Sequence, residues 1–431
     1  MANSFIDKLN ASISKKMDNS KEGFQVLKTF GQATEYISLG NYLLNAQLSG
    51  DLFKGLPNTR SLELAGKSGT GKSFLCLNMV KDCISKGYHV YYIDTEGAID
   101  DEDLNNFGID RESITHVKTI KTFELCQQLI NQIIAGAREA EIAGEDVKIA
   151  LFLDSIGQLN TATALENAMK GNYKEDMGKR AKMVRDLFRT ITLDLSNLKI
   201  PFVFTNHTSN NLDLFAIDNE VASSGEGPTY AASFITFLGK ASYMKEEDEG
   251  GKKRTGVILR AKSHKNRKVT PVEIKFHLSY KEGMIPYVGL EEFLNWDTCE
   301  VDFGTVFTEE EYADKFKGKV PTNSKKEELP VHEWTKDGKK FYAVLNPNVR
   351  TLAVKSSCST VEASQIFNMK DGSKYPDGVC SAKKVFTHEV LSMINEKVIH
   401  PMFAYSKADN TSEAIEEMME SARGAGKKSK K

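Results

Sequence analysis

Short apolar runs alternate with longer amphipathic stretches through the first half of the chain. The predominantly apolar runs cover residues 61–65, 90–93, 149–153 and 201–205. The amphipathic stretches cover residues 73–85, 122–143 and 178–198. Strands that are buried on both faces are apolar along their length, whereas the helices that cover them are apolar on one side only. The alternation therefore predicts an α/β fold with a mostly parallel central sheet flanked by helices.

The second half of the chain has a weaker pattern. Further strands are predicted at residues 234–238, 256–261 and 272–276. The polar sequence KEEDEGGKKR between the first two is typical of a solvated hairpin turn. Residues 317–328 have the composition of a linker, and residues 383–396 form a predicted helix. We divide the chain into an N-terminal helical arm (1–33), a core (34–296), a small C-terminal region (297–416) and a basic, disordered tail (417–431).

The composition restricts the classes of function that are open to the protein but does not identify one. With 40% hydrophobic residues, 27% charged residues and a formal net charge of −2, any basic surface for nucleic acid must be local. The six cysteines form neither a CxxC pair nor a zinc-like cluster with histidine, which favours reduced thiols in a reducing compartment. No apolar run approaches the ~18 residues of a membrane span, and the first residues contain no apolar signal segment. We therefore expect a cytoplasmic protein without a membrane partner.

The sequence GKSGTGKS, residues 66–73, matches the phosphate-loop pattern G-x-x-x-x-G-K-[ST] at every fixed position. It follows a predicted strand and precedes a predicted helix. Glycines let backbone N–H groups approach phosphate oxygens, and the helix N-terminus adds partial positive charge. Lys72 is expected to neutralise the β- and γ-phosphates, and the Ser73 hydroxyl to ligate Mg²⁺. The predicted nucleotide-binding residues are Gly66, Lys67, Ser68, Gly69, Thr70, Gly71, Lys72, Ser73 and Phe74.

Acidic residues follow two of the predicted strands. Asp154 ends the strand in IALFLDS, where a carboxylate is the expected second contact of Mg²⁺, although an aspartate there could instead cap the next turn. Glu96 lies just past the strand in YYIDTEG and could activate a water for attack on the γ-phosphate. Asp94 is the alternative for that role, and Glu96 could also be a solvated loop acid. A glutamate placed for water favours hydrolysis over transfer to a hydroxyl, so we predict an ATPase.

Two segments that follow sheet strands have the composition of a nucleic-acid path. Residues 165–189 are rich in lysine and arginine, which recur at helical spacing from residue 177. Residues 209–230 form a long loop of small polar residues with an isolated aromatic residue. The pair suits single-stranded nucleic acid, although a solvated basic helix beside a disordered loop has the same composition. The candidate DNA-binding residues are Lys179, Arg180, Lys182, Arg185, Arg189, Phe215, Gly225 and Gly227.

His207 ends the strand-like sequence FVFTNHT, directly before the long loop. A polar side chain at that place could hydrogen-bond the γ-phosphate and report the nucleotide state to the loop. A lone histidine is otherwise a structural residue, and the residues alone leave both alternatives open.

Four segments, taken in order and with their spacing, resemble one family. The segments ELAGKSGTGKS, YYIDTEGAID, IALFLDSIGQL and FVFTNHT are similar to motifs of RecA-type recombinases, and of the phage UvsX recombinases in particular. Residues 177–189 resemble the first DNA-binding loop of that family, and residues 223–233 the end of the second. Residues 260–276 resemble the segment whose basic residues reach a neighbouring subunit's ATP. The resemblance covers residues 34–296.

The resemblance implies roles for particular residues. It assigns Glu96 as the catalytic carboxylate, His207 as the nucleotide sensor and Asp100 as an adenine contact. Lys265 and Arg267 fall on the two positions that act on the neighbour's ATP. Lys262 is a further candidate for that role. The set of catalytic residues implied is Glu96, Lys72, His207, Lys265 and Arg267, with Ser73 and Asp154 on the metal side.

The family function implied is assembly of a helical homo-oligomer on single-stranded DNA, followed by homologous pairing with double-stranded DNA and strand exchange. ATP and Mg²⁺ are the implied cofactors, with ATP at the subunit interfaces. The arm of residues 1–33 would serve oligomerisation, with Phe24 as its candidate anchor. Loader and single-strand-binding proteins are further implied partners, and a phage-infected bacterium is the implied host.

Two alternatives share the same core. A hexameric DNA helicase would carry a helical collar, where only the short arm precedes the core here, and a regulatory ATPase of this fold would not need the complete set Lys72, Glu96 and Asp154. The sequence also departs from the family pattern. Acidic residues in the second loop favour DNA contacts made by backbone groups, and the basic end KKSKK stands where bacterial RecA has an acidic tail. A basic end could add affinity for duplex DNA.

Overall fold

The computed structural model describes most of the core and parts of the C-terminal region. The described residues are 32–171, 177–210, 220–222, 232–248, 251–281, 283–294, 296–299, 301–345, 360–362, 366–368, 379–381 and 385–404. Most of the predicted arm, with Phe24, and all of the predicted tail lie outside these residues. The candidate DNA contacts Phe215, Gly225 and Gly227 also lie outside them.

Between residues 61 and 206, helices separate consecutive strands, as the pattern predicts. The strands are β1 (Tyr36–Ile37), β2 (Leu56–Pro57), β3 (Ser61–Gly66), β4 (His89–Asp94), β5 (Ile114–Val117), β6 (Ile149–Asp154), β7 (Phe202–Asn206), β8 (Thr208–Asn210), β9 (Glu220–Ala222), β10 (Phe234–Asp248), β11 (Gly251–Asn266), β12 (Glu273–Ser279), β13 (Gly283–Met284), β14 (Val301–Thr308), β15 (Val331–Lys336), β16 (Lys339–Leu345), β17 (Thr360–Glu362), β18 (Ile366–Asn368) and β19 (Val379–Ser381). The α-helices are α1 (Tyr42–Ser49), α2 (Lys72–Ser85), α3 (Asp101–Phe107), α4 (Phe123–Ala143), α5 (Ala162–Met169), α6 (Met177–Asn197), α7 (Trp296–Cys299), α8 (Glu309–Phe316), α9 (His388–Ile394) and α10 (His400–Phe403).

The central sheet has the strand order β13-β12-β11-β10-β3-β7-β6-β4-β5. The pairs from β10 through β5 are all parallel, and β11, β12 and β13 add an antiparallel edge. Every residue of β6 and β7 is buried, as the continuous apolar runs require. The prediction of an α/β fold with a mostly parallel central sheet is confirmed.

Hydrophobic clusters lie on both faces of the sheet. On one face, Leu64 packs with residues of α1 and α2. On the other, Phe204 packs with residues of α4 and α6. Helix α6 buries Val184, Leu187 and residues at the following turns, so its basic residues are left on the opposite side.

The predicted hairpin turn KEEDEGGKKR was wrong in its extent. Most of these residues belong to β10 and β11, which stay paired as far as Asp248 and Gly251. The register sets Glu246 opposite Lys253 and Glu247 opposite Lys252. The turn therefore spans fewer residues than the polar run indicated. The pattern also missed β5 and α3, which are short and largely half-buried or exposed.

The C-terminal region contains a second, antiparallel sheet in the order β15-β16-β14-β18. Helix α8 covers it, and the rings of Tyr312 and Tyr342 stack with centroids 4.3 Å apart. Residues 385–404 return to the core. Asn395 Oδ1 accepts from Leu52 N at 2.8 Å, and the Phe403 carbonyl accepts from Thr270 N at 3.2 Å. The predicted helix at 383–396 is α9, which continues through the π-helix Asn395–Ile399 into α10.

Among the described residues, none of the helices is long and apolar enough to cross a lipid bilayer. Cys76, Cys83, Cys126 and Cys299 are buried and carry their thiols outside any disulfide.

Candidate active site

Several of the predicted site residues lie at the carboxyl edge of the parallel sheet. Ala65, one residue before the loop, is in register with Asn206 at the end of β7. Asp94 is in register with Asp154 at the ends of β4 and β6. Ligands of open α/β sheets bind outside this edge, so the register brings the phosphate loop and both acidic strand ends to one site.

The phosphate loop has the backbone shape that its glycines permit. Gly71 has φ +83°, a left-handed conformation that disfavours any side chain, and helix α2 begins at the next residue. A Cβ on Gly66 would lie 2.5 Å from the Leu238 carbonyl oxygen and 2.7 Å from Thr70 Oγ1. Both positions therefore require glycine, which supports the assignment of residues 66–73 as an anion-binding loop.

The Lys72 side chain is held inside the loop. Its Nζ donates to the carbonyls of Gly66 at 2.9 Å and Lys67 at 3.1 Å, and only 7% of the residue is exposed. Burial lowers the pKa of Lys72, and the negative charges of Asp154 and Glu96 oppose that shift. The ammonium is therefore placed between the loop and the two carboxylates, where a bound triphosphate would take over its interactions.

Asp94 and Glu96 have different roles in the loop after β4. The Asp94 carboxylate is buried and accepts hydrogen bonds from the backbone N–H groups of the loop, those of Glu96, Gly97, Ala98 and Ile99. It also lies 3.2 Å from His116 Nε2. A carboxylate with these partners shapes the loop and has no lone pair left for a water. The structure therefore favours Glu96 over Asp94 as the water-activating residue.

The Glu96 cluster, which we define as Glu96, Ser155 and His207, joins three strand ends. Glu96 Oε1 accepts from Ser155 Oγ at 2.7 Å and lies 2.9 Å from His207 Nε2. Burial would raise the pKa of Glu96, but the hydrogen bonds from Ser155 and His207 and the charge of Lys72 hold it below its ordinary value. Glu96 is therefore ionised at neutral pH, as a general base must be. The predicted sensor His207 contacts the predicted catalytic carboxylate directly.

Asp154 is 3% exposed and is anchored by two hydroxyls. Tyr92 OH donates to Asp154 Oδ2 at 3.0 Å, and Thr205 Oγ1 donates to Oδ1. The oxygen donors of Asp154 and Ser73 fit Mg²⁺, which is commonly held by one or two protein oxygens together with substrate phosphates. Within the described part of the chain, no three His, Cys, Asp or Glu residues are grouped to hold a metal by themselves.

A cavity of about 790 Å³ lies beside the start of α2. Its walls include Phe74, Phe107 and Tyr280, and the rings of Phe74 and Phe107 are 4.8 Å apart. Aromatic walls and this size suit a nucleobase with its ribose. Asp100, the predicted adenine contact, is not among the lining residues; its side chain accepts from Asp103 N and caps α3. No motif in the sequence singles out Tyr280, which lies at the end of a strand among polar residues.

Lys265 and Arg267 lie away from the phosphate loop of their own chain. Gly66, at the start of the loop, is in register with Leu238 of β10, whereas Lys265 pairs with Ile235, which is aligned with Glu63. The two basic residues thus stand toward the amino end of β3, and the loop stands at its carboxyl end. Lys265 is half-buried and Arg267 exposed.

Comparison with known proteins assigns the family. The family model described as the RecA N-terminal domain matches residues 8–285, more than half of the chain. The chain belongs to the RecA family. This match also reaches into the arm, where the motifs alone gave no correspondence.

Individual members of the family are related at modest identity. The "Recombination and repair protein" of Enterobacteria phage T4 is 29% identical over 251 residues, which are 58% of this chain and 60% of that protein. "Protein RecA" of Paramagnetospirillum magneticum is 25% identical over 256 residues, 58% of this chain and 65% of the relative. "Protein RecA" of Malacoplasma penetrans is 25% identical over 271 residues, 62% and 76%. The chain thus spans less than two thirds of the first two relatives, and the predicted resemblance to RecA-type recombinases is confirmed.

Of the two segments that resemble the DNA loops of the RecA family, the structure describes residues 177–189, in α6, and residues 232–233. On α6, the side chains of Lys179, Lys182, Arg185 and Arg189 are exposed, and Arg180 is half-buried. Residues 209–230 were predicted as one long loop, and among the described residues of this part of the chain β8 and β9 pair as a short antiparallel ribbon. The ribbon begins at the residue after His207. A movement of His207 in the Glu96 cluster would therefore act directly on the first residue of the ribbon.

A buried glutamate, Glu63, lies in β3 three residues before the phosphate loop and was not predicted as a site residue. Glu63 is 0% exposed, its Oε1 accepts from Asn206 Nδ2 at 2.8 Å, and its Oε2 has no hydrogen-bond partner. Burial raises the pKa of Glu63 to about 7, against the Asn206 hydrogen bond and the charge of Lys265. A polar residue inside an apolar strand was the only signal in the sequence.

Glu63→Gln is expected to change the pH dependence of stability. Between pH 4.5, the ordinary value, and about 7, folded Glu63 keeps a proton that the unfolded chain releases. Protonated Glu63 therefore contributes to the free energy of unfolding of the wild type below this pH range. The contribution is lost as the pH rises through the range, by roughly 3 kcal/mol in total. Glutamine cannot ionise and keeps the Asn206 contact, so the variant lacks this loss. Urea unfolding between about pH 5 and pH 8 measures it, with the exposed Glu102→Gln as control. Parallel curves for Glu63→Gln and wild type would contradict the assignment.

Proposed function

We propose that this protein is an ATP-dependent DNA recombinase, which assembles as a helical filament on single-stranded DNA and exchanges strands with double-stranded DNA. The observation that carries the proposal is the Glu96 cluster. It joins a carboxylate suited to activate water, at the edge of the phosphate loop, to the residue that precedes the second DNA segment. Membership of the RecA family supports the same function.

The proposed hydrolytic step is attack of a water molecule on the γ-phosphate of ATP. Glu96 takes the proton of the attacking water, the new P–O bond forms to that oxygen, and the bond between the γ-phosphorus and ADP breaks. Lys72 binds the γ-phosphate side of the substrate and neutralises charge there. Ser73 and Asp154 would hold Mg²⁺, which supplies further charge neutralisation when bound. The cavity bounded by Phe74 and Tyr280 takes the base and ribose.

DNA binding belongs to α6 and to the segment after His207. The exposed cations of α6 can neutralise phosphates, and each such contact makes affinity more sensitive to salt. Phe215, Gly225 and Gly227 complete the proposed path, with the aromatic ring available for base stacking. Duplex DNA and loader and single-strand-binding proteins are the further partners of this proposal, and the cytoplasm is its compartment. No observation in the described residues favours the helicase alternative.

Lys265 and Arg267 are proposed to act on the ATP of an adjacent subunit. Their distance along the sheet from their own phosphate loop supports this, because they do not complete the site of their own chain. ATP would then lie between subunits and link its own hydrolysis to the assembly of the filament.

Glu96→Gln is expected to lower DNA-dependent ATP hydrolysis by about a hundredfold or more, because general-base catalysis contributes on that order. ATP binding and filament assembly should persist, since glutamine keeps an oxygen for Ser155 and His207. Phosphate release, with Glu102→Gln on the neighbouring helix as control, measures the rate. Because the pKa of Glu96 lies below its ordinary value, the wild-type rate should stay level through neutral pH and fall only in acid. A wild-type rate of hydrolysis in Glu96→Gln would mean that another group is the general base.

A further inference from the structure

Arg180 differs from the other basic residues at the start of α6. Lys179 and Lys182 are exposed, whereas Arg180 is half-buried and its Nε is buried without a hydrogen-bond partner. Its Nη2 donates to the carbonyl of Gly157 at 2.5 Å. Contacts to DNA phosphates are made by groups that reach out from the surface, and this guanidinium instead donates to a backbone carbonyl of the protein.

Gly157 packs against the Glu96 cluster. It lies in the 3-10 turn Ile156–Gln158, which follows Ser155. A Cβ placed on Gly157 would be 3.3 Å from His207 Cδ2 and 3.6 Å from Ser155 Oγ. These are the two side chains that contact Glu96 Oε1. The carbonyl held by Arg180 therefore belongs to a backbone segment in contact with both partners of the catalytic carboxylate.

We propose that Arg180 is a positioning residue that couples DNA on α6 to ATP hydrolysis at Glu96. The inference rests on the proposed function. DNA bound along the exposed side of α6 fixes the position of the helix's first turn, and Arg180 transmits that position to the Gly157 carbonyl. The backbone at Gly157 in turn fixes the positions of Ser155 and His207 around Glu96. Misplacement of a reacting group by a fraction of an ångström is costly, so the link acts on the rate of the bound complex more than on DNA affinity.

The test compares Arg180→Ala with Lys182→Ala, which removes one exposed cation from the same helix. Single-stranded DNA is titrated at saturating ATP, and the saturated hydrolysis rate and the apparent Kd for DNA are measured separately. Lys182→Ala should weaken DNA binding and reach the wild-type rate in excess DNA. Arg180→Ala should bind DNA about as well as Lys182→Ala, yet its saturated rate should be lower by about tenfold, a common size for coupling between sites.

Arg180→Lys gives a second variant with the charge retained. The shorter side chain lacks the guanidinium fork, so DNA affinity should match the wild type while the saturated rate falls at least about threefold. Hydrogen exchange of folded protein without DNA gives an independent measure. The amides of residues 156–159 should exchange faster in Arg180→Ala than in Lys182→Ala.

Wild-type saturated rates in both Arg180 variants, or a loss that excess DNA restores, would reduce Arg180 to a phosphate contact and overturn the inference alone. A wild-type protein whose hydrolysis does not respond to DNA would overturn the proposed function, and the coupling with it.

Discussion

A Lys72→Ala variant is expected to lose ATP hydrolysis by more than roughly a thousandfold, and with it ATP-dependent assembly on DNA. The Lys72 ammonium is buried and held by the carbonyls of Gly66 and Lys67, so its charge stands within the phosphate loop. Charge that grows on the transferred phosphoryl group has to be neutralised in place, and alanine supplies neither charge nor donor. Phosphate release with and without single-stranded DNA gives the rate, and binding of a fluorescent ATP analogue gives the affinity.

Lys121→Ala is the matched control for Lys72→Ala. Its exposed side chain lies on the loop before α4, so the same loss of one positive charge should leave hydrolysis unchanged. Thermal unfolding of both variants shows whether the fold is intact. A folded Lys72→Ala protein that hydrolyses ATP at the wild-type rate would contradict the assignment of residues 66–73 as the triphosphate site.

The variants Lys265→Ala and Arg267→Ala are expected to keep nucleotide binding while DNA-dependent hydrolysis falls on the order of a thousandfold. Both residues stand toward the amino end of β3, away from the phosphate loop of the same chain. A cation supplied by a neighbour stabilises the transition state without being needed to hold ATP. Lys253→Ala, on the same strand but near the hairpin tip, is the control and should behave as wild type.

Mixing variants distinguishes action between subunits from action within one. A Lys265→Ala subunit has an intact phosphate loop, and a Lys72→Ala subunit has intact Lys265 and Arg267. Where the second adjoins the first in a filament, one complete site forms. Mixed protein should therefore recover part of the hydrolysis that each variant lacks alone. No recovery, in mixtures that electron microscopy shows to co-assemble, would mean that Lys265 acts within its own chain.

The sequence predicted the elements whose local pattern agrees with their environment in the fold. Residues 149–153 are apolar because β6 is covered on both faces, and the phosphate loop is visible because its glycines meet a backbone requirement. The sequence could not decide between Asp94 and Glu96, since Asp94 ends β4 and Glu96 follows two residues later. The two carboxylates differ in their hydrogen-bond partners. Backbone N–H groups surround Asp94, whereas the side chains of Ser155 and His207 contact Glu96.

Features that depend on contacts between segments far apart in the chain could not be predicted from the sequence. Residues 385–404 rejoin the core through partners such as Leu52 and Thr270, more than a hundred positions earlier in the chain. Arg180 looked like its neighbours on α6, because its hydrogen bond to Gly157 joins two segments that are separate in sequence. The extent of β10 and β11 was misjudged because a polar run is as compatible with a long two-stranded ribbon as with a turn.

The most direct test of the recombinase proposal is electron microscopy of the purified protein with single-stranded DNA, Mg²⁺ and a non-hydrolysable ATP analogue. We expect long helical filaments that disappear when the nucleotide is left out, because ATP at the proposed subunit interfaces would hold adjacent subunits together. Closed six-fold rings, or no assembly on DNA at all, would contradict the proposal.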